Sequence, residues 1–296
     1  IKYFTFYKKI MEFLKYHALG NDYLVLDSWN NDLPVISLTA EKVRKICNRN
    51  FGLGADGILV GCKDDSGKYF NLQIFNPDGS TAEISGNGLR IFSRFLWDQK
   101  QVYESQFNIM TSGGLVKALV ENSGSNVSVE MGKVSFQSDK IPVTGKIREV
   151  LNETIDIDGH QFKFCAATIG NPHCVVLNGE QTQDEVIRIG PMIENHPKFP
   201  NRTNVQFLKV IDRGKIRIEI WERGAGYTLA SGSSSCAAAS VAYRLGLCEN
   251  QIAVLMPGGE IDITVNEDYS IFMKGPVTRI GRMLLDPEFF DFEVSK

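Results

Sequence analysis

The sequence predicts an α/β (α+β) protein built as two pseudo-symmetric lobes. Length is the first ground: 296 residues against ~100–200 per domain. The second is an alternation of strand-like and helix-like hydrophobic periodicity along the chain. The third is a unit that occurs twice: strand, turn-rich glycine stretch, Ser-Gly, buried helix. Its first copy reads IFNPDGSTAEISGNGLRIF and its second IWERGAGYTLASGSSSCAA, which makes Ser85-Gly86 and Ser231-Gly232 equivalent. The separation is far longer than the ~20–50-residue period of a solenoid, so the duplication is of a whole lobe.

Each element follows from local pattern. Residues 12–16 and 23–27 read as strands. Thr39 caps a helix through Val43, Ile46 and Cys47, with Glu41 in its first turn, ending near Asn50 before Gly52. Residues 69–75 form a strand, and a helix runs from about Asn87 to Asp98 with Leu89, Phe92, Phe95 and Leu96 on one face. Residues 105–176 are mostly strand, broken at Ser112-Gly113-Gly114 and at 122–126. Residues 216–221 alternate apolar and charged, as a half-buried strand does. An alanine-rich helix runs from about Gly232 to Leu245, then strands 252–256 and 260–265 flank Pro257-Gly258-Gly259. A crossover near residue 131 divides the chain into one lobe of 11–131 with 280–296 and another of 132–279.

Composition narrows the function class. A hydrophobic fraction of 43% and a charged fraction of 23% exclude disorder as the dominant state. A net charge of −3 with no basic run argues against nucleic acid as partner. No stretch approaches the ~18 apolar residues of a membrane helix. Residues 1–10 lack the apolar run and cleavage site of a signal peptide. They read as an upstream extension or expression remnant ahead of Met11, and a cytoplasmic location is expected. Cys47, Cys62, Cys165, Cys174, Cys236 and Cys248 form no CxxC pair and no metal-type spacing with histidine. They are expected to be reduced, buried small hydrophobes, with no metal site.

The two Ser-Gly turns hold the functional signal. A helix N-terminus offers unpaired N–H groups and the positive end of the helix dipole. Glycine there lets a ligand approach the backbone. One such turn is an ordinary serine cap. Two, in equivalent places, point to one shared carboxylate or phosphate site between the lobes. Asn21, Asn76, Asn171 and Asn204 sit at strand ends, where asparagine is usually a turn former. Glu222-Arg223 reads locally as a surface ion pair, and His173 as a structural histidine.

Taken together the motifs are more specific. HALGNDY, GLGADG, FNPDGSTAE, SGNGLR, GNPH, RTNV, ERGAGYT and SGSSSCAAA occur in order. From Met11 nearly to the C-terminus the chain resembles the diaminopimelate epimerases, pyridoxal-independent amino-acid racemases. The resemblance implies two lobes, each a mixed strand barrel around a central helix, with substrate in the cleft. It implies no cofactor, a homodimer, and interconversion of LL- and meso-2,6-diaminopimelate for lysine and cell-wall synthesis. It implies substrate contacts from Asn21, Asn76, Asn171, Asn204, Glu222 and Arg223, with backbone at Gly86, Asn87, Gly232 and Ser233 holding the reacting carboxylate. Arg223, Asn76 and Asn204 would hold the distal end.

The chemistry so implied uses two cysteines, one on each face of the α-carbon. This chain has Ser85 and Ser231 at those positions. Cys236 lies within the second helix and does not replace them, and Ser234 stands where the family usually has glycine. Engineered exchange and natural divergence both fit. The expectation is binding retained and turnover weak, with a racemase of another amino acid, or a non-catalytic amino-acid binder, as the alternatives.

Overall fold

The structure is a computed structural model that describes residues 11–27, 38–64, 66–103, 105–177 and 180–290. The extension expected at residues 1–10 lies outside the described residues. The fold is mixed α/β and mostly strand. Among the described residues there are four α-helices: α1 (Ala40–Cys47), α2 (Gly86–Asp98), α3 (Gln183–Glu194) and α4 (Gly232–Arg244).

The duplication seen in sequence extends to strand pairing. In the first half, Met11–Ala18 runs antiparallel to Asn21–Asp27, which runs parallel to Ile58–Lys63. Ile58–Lys63 is antiparallel to Phe70–Phe75, which pairs antiparallel with Thr81–Ala82 and parallel with Phe107–Thr111. Gly114–Glu121 and Asn126–Lys133 complete an antiparallel meander. The second half repeats the scheme. His160–Thr168 is antiparallel to Pro172–Leu177, which is parallel to Asn204–Asp212, itself antiparallel to Lys215–Glu222. Lys215–Glu222 pairs antiparallel with Gly226–Tyr227 and parallel with Gln251–Met256. Gly259–Val265 and Ser270–Pro276 end it.

The two halves join through their last strands, because Asn126–Lys133 pairs antiparallel with Ser270–Pro276. The chain then turns back. Thr278–Leu285 pairs antiparallel with Met11–Ala18, from Met11 opposite Leu285 to His17 opposite Thr278. Its counterpart in the second half is Glu153–Ile157, which flanks His160–Thr168 in the same way.

α2 and α4 are the centres of the two halves. Leu89, Ile91, Phe92, Phe95 and Leu96 of α2 are buried, as are Ala237, Ala238, Ala239, Val241 and Ala242 of α4. Both helices lie in one continuous apolar core that also takes in the strands around them. The alanines of α4 allow the close surround expected from its composition. α1 covers a separate apolar layer with Met11, Phe13 and Leu24, and α3 covers another with Ile155, Phe164 and Phe207.

α1 stops at Cys47, short of Asn50. The Asn48 side-chain oxygen accepts from the Asn50 and Phe51 N–H groups at 2.9 and 2.8 Å, which competes with further helix. α3 was not expected. It begins at a capping box in which Thr182 and Glu185 satisfy each other's backbone N–H groups. Five cysteines are buried as expected, but Cys62 is exposed near the end of its strand, and all six are free thiols. Among the described residues no helix is long and apolar enough to cross a membrane.

Candidate active site

The two Ser-Gly turns meet. α2 starts at Gly86 with Ser85 as its cap, and α4 starts at Gly232 with Ser231 as its cap. Both caps are extended, with φ/ψ of −137°/115° and −145°/124°. The Gly88 N–H donates to Ser85 Oγ at 3.1 Å and the Ser234 N–H to Ser231 Oγ at 3.4 Å. A Cβ added to Gly232 would lie 3.8 Å from the Gly86 Cα and 2.9 Å from Met273 Sδ. A Cβ on Gly86 would strike the Met273 methyl. Two helix N-termini therefore abut over one methionine, and only glycine permits the approach. Their free N–H groups and positive dipole ends address one small region, which suits an anion.

The two hydroxyls have different neighbours. Tyr23 Oη lies 3.3 Å from Ser85 Oγ. Burial pushes the Tyr23 phenol up from its usual range, and the carboxylates of Asp56 and Glu222 add to this, against the Ser85 hydrogen bond. Ser231 instead lies near the Glu222 carboxylate, close enough to favour its ionised form, and that carboxylate accepts from Thr228 Oγ1 at 3.4 Å. Burial raises the Glu222 pKa, and the two hydroxyls oppose that rise. The sequence offers no base beside either serine; the fold brings a carboxylate to Ser231. Glu222 does not make the surface ion pair with Arg223 that local pattern suggests.

The asparagines fall into two groups. Asn87 Nδ2 donates to Asn21 Oδ1 at 3.0 Å, and Asn21 Nδ2 donates to Asp56 Oδ2 at 2.9 Å. Asn171 Nδ2 lies 3.4 Å from Ser233 Oγ, and its oxygen faces His173 Nε2 at 2.9 Å. That oxygen makes His173 a donor at Nε2. His173 is fully buried, and burial lowers its pKa to about 3. It is neutral and positions Asn171, as the structural reading expected.

Asn204 Nδ2 donates to the Pro172 carbonyl at 2.9 Å, while its oxygen accepts from the Arg223 backbone N–H at 3.0 Å. The Arg223 guanidinium donates to the Asn201 carbonyl at 3.0 Å. The adjoining turn is pinned by buried Glu194, which accepts from Trp221, Arg202 and the Gly224 N–H at 2.7–3.0 Å. Asn76 lies in the turn after Phe70–Phe75, and its amide donates to Ser80 Oγ at 2.9 Å within that turn. Its link to the other candidate residues stays an expectation.

Sequence reasoning missed Tyr23, Asp56, Arg90 and Met273. Three of these sit inside motifs already noted: Tyr23 in HALGNDY, Asp56 in GLGADG and Arg90 in SGNGLR. The glycine ending GLGADG has a packing reason. A Cβ on Gly57 would run into the Phe75 carbonyl and the Tyr23 ring. Met273 has no local signal, since it comes from a strand remote in sequence.

Comparison with known proteins bears on the family and the fold. The family model described as "Diaminopimelate epimerase" matches residues 13–137 and 165–280. The chain is 56% identical over 283 residues to "Diaminopimelate epimerase 2" of Nostoc sp. strain PCC 7120, covering 96% of this chain and 98% of that one. It is 36% identical over 278 residues to the diaminopimelate epimerase of Desulfitobacterium hafniense, covering 93% and 98%. A hydroxyproline epimerase from Agrobacterium vitis, solved with trans-4-hydroxy-L-proline, shares the fold at a TM-score of 0.64 and 16% identity, covering 95% and 94%. Methylitaconate-delta-isomerase does so at 0.60 and 14%, covering 94% and 95%. On its motifs, its duplicated fold and these matches, the chain belongs to the diaminopimelate epimerase family.

Proposed function

We propose that this chain binds 2,6-diaminopimelate between α2 and α4 and interconverts its LL and meso forms by two-base proton transfer, slowly and without a cofactor. The reading rests on one observation: two hydroxyl-capped helix N-termini abut at Gly86 and Gly232. The reacting carboxylate would accept from backbone N–H groups at Gly86, Asn87, Gly232 and Ser233. The same dipole ends would stabilise the charge that grows on that carboxylate as the α-proton leaves. Ser85 and Ser231 would flank the α-carbon, with Asn21 and Asn171 beside them. Glu222 would face the ammonium group, and Arg223, Asn76 and Asn204 the distal end. Free thiols throughout the chain accord with a cytoplasmic setting.

Slow turnover follows from acidity. A thiol ionises near ~8.5, and a serine hydroxyl ionises far above that. Each pH unit of mismatch costs ~1.36 kcal/mol, a tenfold loss of the active form. A helix terminus returns at most ~2 kcal/mol. The Tyr23 phenol does not activate Ser85, because it is itself harder to ionise than usual. Glu222 gives Ser231 a carboxylate partner, so the two faces are unequal.

The test is solvent-deuterium exchange at the α-carbon, with the original chain and with Ser85→Cys/Ser231→Cys. The double cysteine form should exchange and epimerise diaminopimelate faster by ~10²-fold or more, the low end of what positioned acid–base groups supply. The substrate assignment fails if that form does neither, or if another amino acid in the same assay reacts in its place. The serines also favour a second reading, an amino-acid binder with no turnover. Calorimetric binding by the original chain with no exchange would support it, and measurable turnover would remove it.

A further inference from the structure

Arg90 is fully buried, and among the described residues its partners are the Gly86 carbonyl, Met273 Sδ and Asn87 Oδ1, none of them a carboxylate. Burial brings its pKa down to about 10, so it stays charged at neutral pH. Its Nη2 donates to Asn87 Oδ1 at 2.7 Å, and its Nη1 lies 3.2 Å from Met273 Sδ. Its Nε has no partner. A bare guanidinium in a core is costly, so its position needs a reason.

A run of hydrogen bonds that starts at the guanidinium supplies one. Arg90 donates to Asn87, Asn87 to Asn21 at 3.0 Å, and Asn21 to Asp56 at 2.9 Å. Arg49 anchors the far end, with Nη2 2.6 Å from Asp56 Oδ1 and 2.7 Å from Asp22 Oδ1. Guanidinium only donates and carboxylate only accepts. A chain with one at each end has a single direction, so neither amide between them is free to flip. Each amide spends its oxygen and one N–H in the chain, which leaves its second N–H. A further partner that approaches either amide from its N–H side therefore meets a donor.

We propose that Arg90 and Asp56 are positioning residues: the two ends of a one-way hydrogen-bond relay that holds Asn87 and Asn21 as N–H donors to the substrate carboxylate. The inference rests on the amino-acid site proposed above and adds the device that sets its preference for an acceptor. Either end alone enforces the direction, so the ends are redundant. Asp56→Asn leaves one oxygen where there were two; Arg90, with the Asp22 N–H that donates to Asp56 Oδ2 at 3.1 Å, still favours that oxygen toward Asn21. Arg90→Met removes the donor and the buried charge, while Asp56 still dictates. With both changes the relay can reverse.

The experiment is a double-mutant cycle on the full chain, read by calorimetric affinity for diaminopimelate, with thermal unfolding alongside. The Arg90→Met/Asp56→Asn form should lose about tenfold more affinity than the product of the two single losses, within the range of coupled neighbours. Losses that simply multiply would overturn the proposal. A packing role would instead lower the unfolding midpoint without this coupling. If the double form does not fold, Arg90→Lys/Asp56→Asn replaces it. That form keeps a donor at one end and should match Asp56→Asn alone; a tenfold further loss would overturn the proposal.

A second readout needs no ligand. The side-chain amide protons of Asn21 and Asn87 within the relay should exchange slowly with solvent in the parent and faster in the double form. Equal rates would sink the relay. A parent that fails to bind diaminopimelate would sink the substrate assignment, and the exchange rates would still decide the relay.

Discussion

At the scale of single residues, the site pairs two chemically alike hydroxyls with unlike neighbours. Ser85 faces a phenol and Ser231 a carboxylate. Glu222 is a site group whose ionisation bears on stability, because burial raises its pKa above the usual 4.5. A carboxyl with a raised folded pKa contributes stability below its unfolded pKa, and that contribution is lost as pH rises through the folded value. Above its unfolded pKa, burial of the Glu222 carboxyl is thus a net cost to the fold. Glu222→Gln keeps an oxygen to accept from Thr228 Oγ1 and removes the charge. Its thermal midpoint should exceed the parent's at pH 7, and the gap should close toward pH 4. A midpoint below the parent's at pH 7 would mean that the hydroxyl bonds outweigh burial. The same substitution should weaken diaminopimelate binding, because the proposed ammonium partner is gone. Opposite signs for stability and binding are the mark of a group kept for function.

At the scale of elements, the abutting helix ends make a sharper demand. Gly232→Ala would put a methyl group 2.9 Å from Met273 Sδ, so Met273 or α4 must move. Overpacking of this kind costs ~1–3 kcal/mol, and denaturant unfolding should show a loss in that range. Ligand affinity should fall with it, since Ser233 and the α4 N-terminus shift together. An unchanged unfolding midpoint would show that Met273 yields freely. These turns were legible in sequence because they are local and occur twice: a serine cap, a glycine and an apolar stripe lie within a few residues. α3 was legible chiefly through the duplication. The repeat maps α1, between Asn21–Asp27 and Ile58–Lys63, onto the interval between Pro172–Leu177 and Asn204–Asp212, where α3 sits. Its capping box, Thr182 with Glu185 three residues on, is a local signal as well, but a short one. The relay was not legible at all. Arg90, Asn87, Asn21 and Asp56 each sit in recognisable motifs, but their contacts depend on three separate elements meeting in space. The carboxylate beside Ser231 escaped notice for the same reason, since Glu222 reaches it only after the chain turns at Gly224 and Gly226.

At the scale of the whole molecule, the first half is completed by the last strand of the chain. Met11–Ala18 is buried at Met11, Phe13, Leu14, Tyr16 and Ala18, and it is flanked by Asn21–Asp27 and Thr278–Leu285. In the second half the corresponding flank, Glu153–Ile157, precedes the strand it covers by a two-residue turn at Asp158-Gly159. One half thus closes locally, and the other closes only when the chain has crossed both halves and come back. A chain ending at Val277 would leave a row of unpaired N–H and C=O groups along Met11–Ala18, an edge that invites pairing with another copy. It would also lose Leu285 from the apolar layer under α1. The shortened chain should melt at lower temperature and over a broader range than the full chain, and should run as larger species than the full chain on size-exclusion chromatography. Circular dichroism on heating checks the first outcome. A peptide of residues 278–290 added in trans should recover part of the lost midpoint by taking up the vacant edge. A shortened chain that keeps the parent's oligomeric state and melts as sharply would show that the return strand is decoration. The two helix N-termini would then be aligned by the junction of Asn126–Lys133 with Ser270–Pro276 alone.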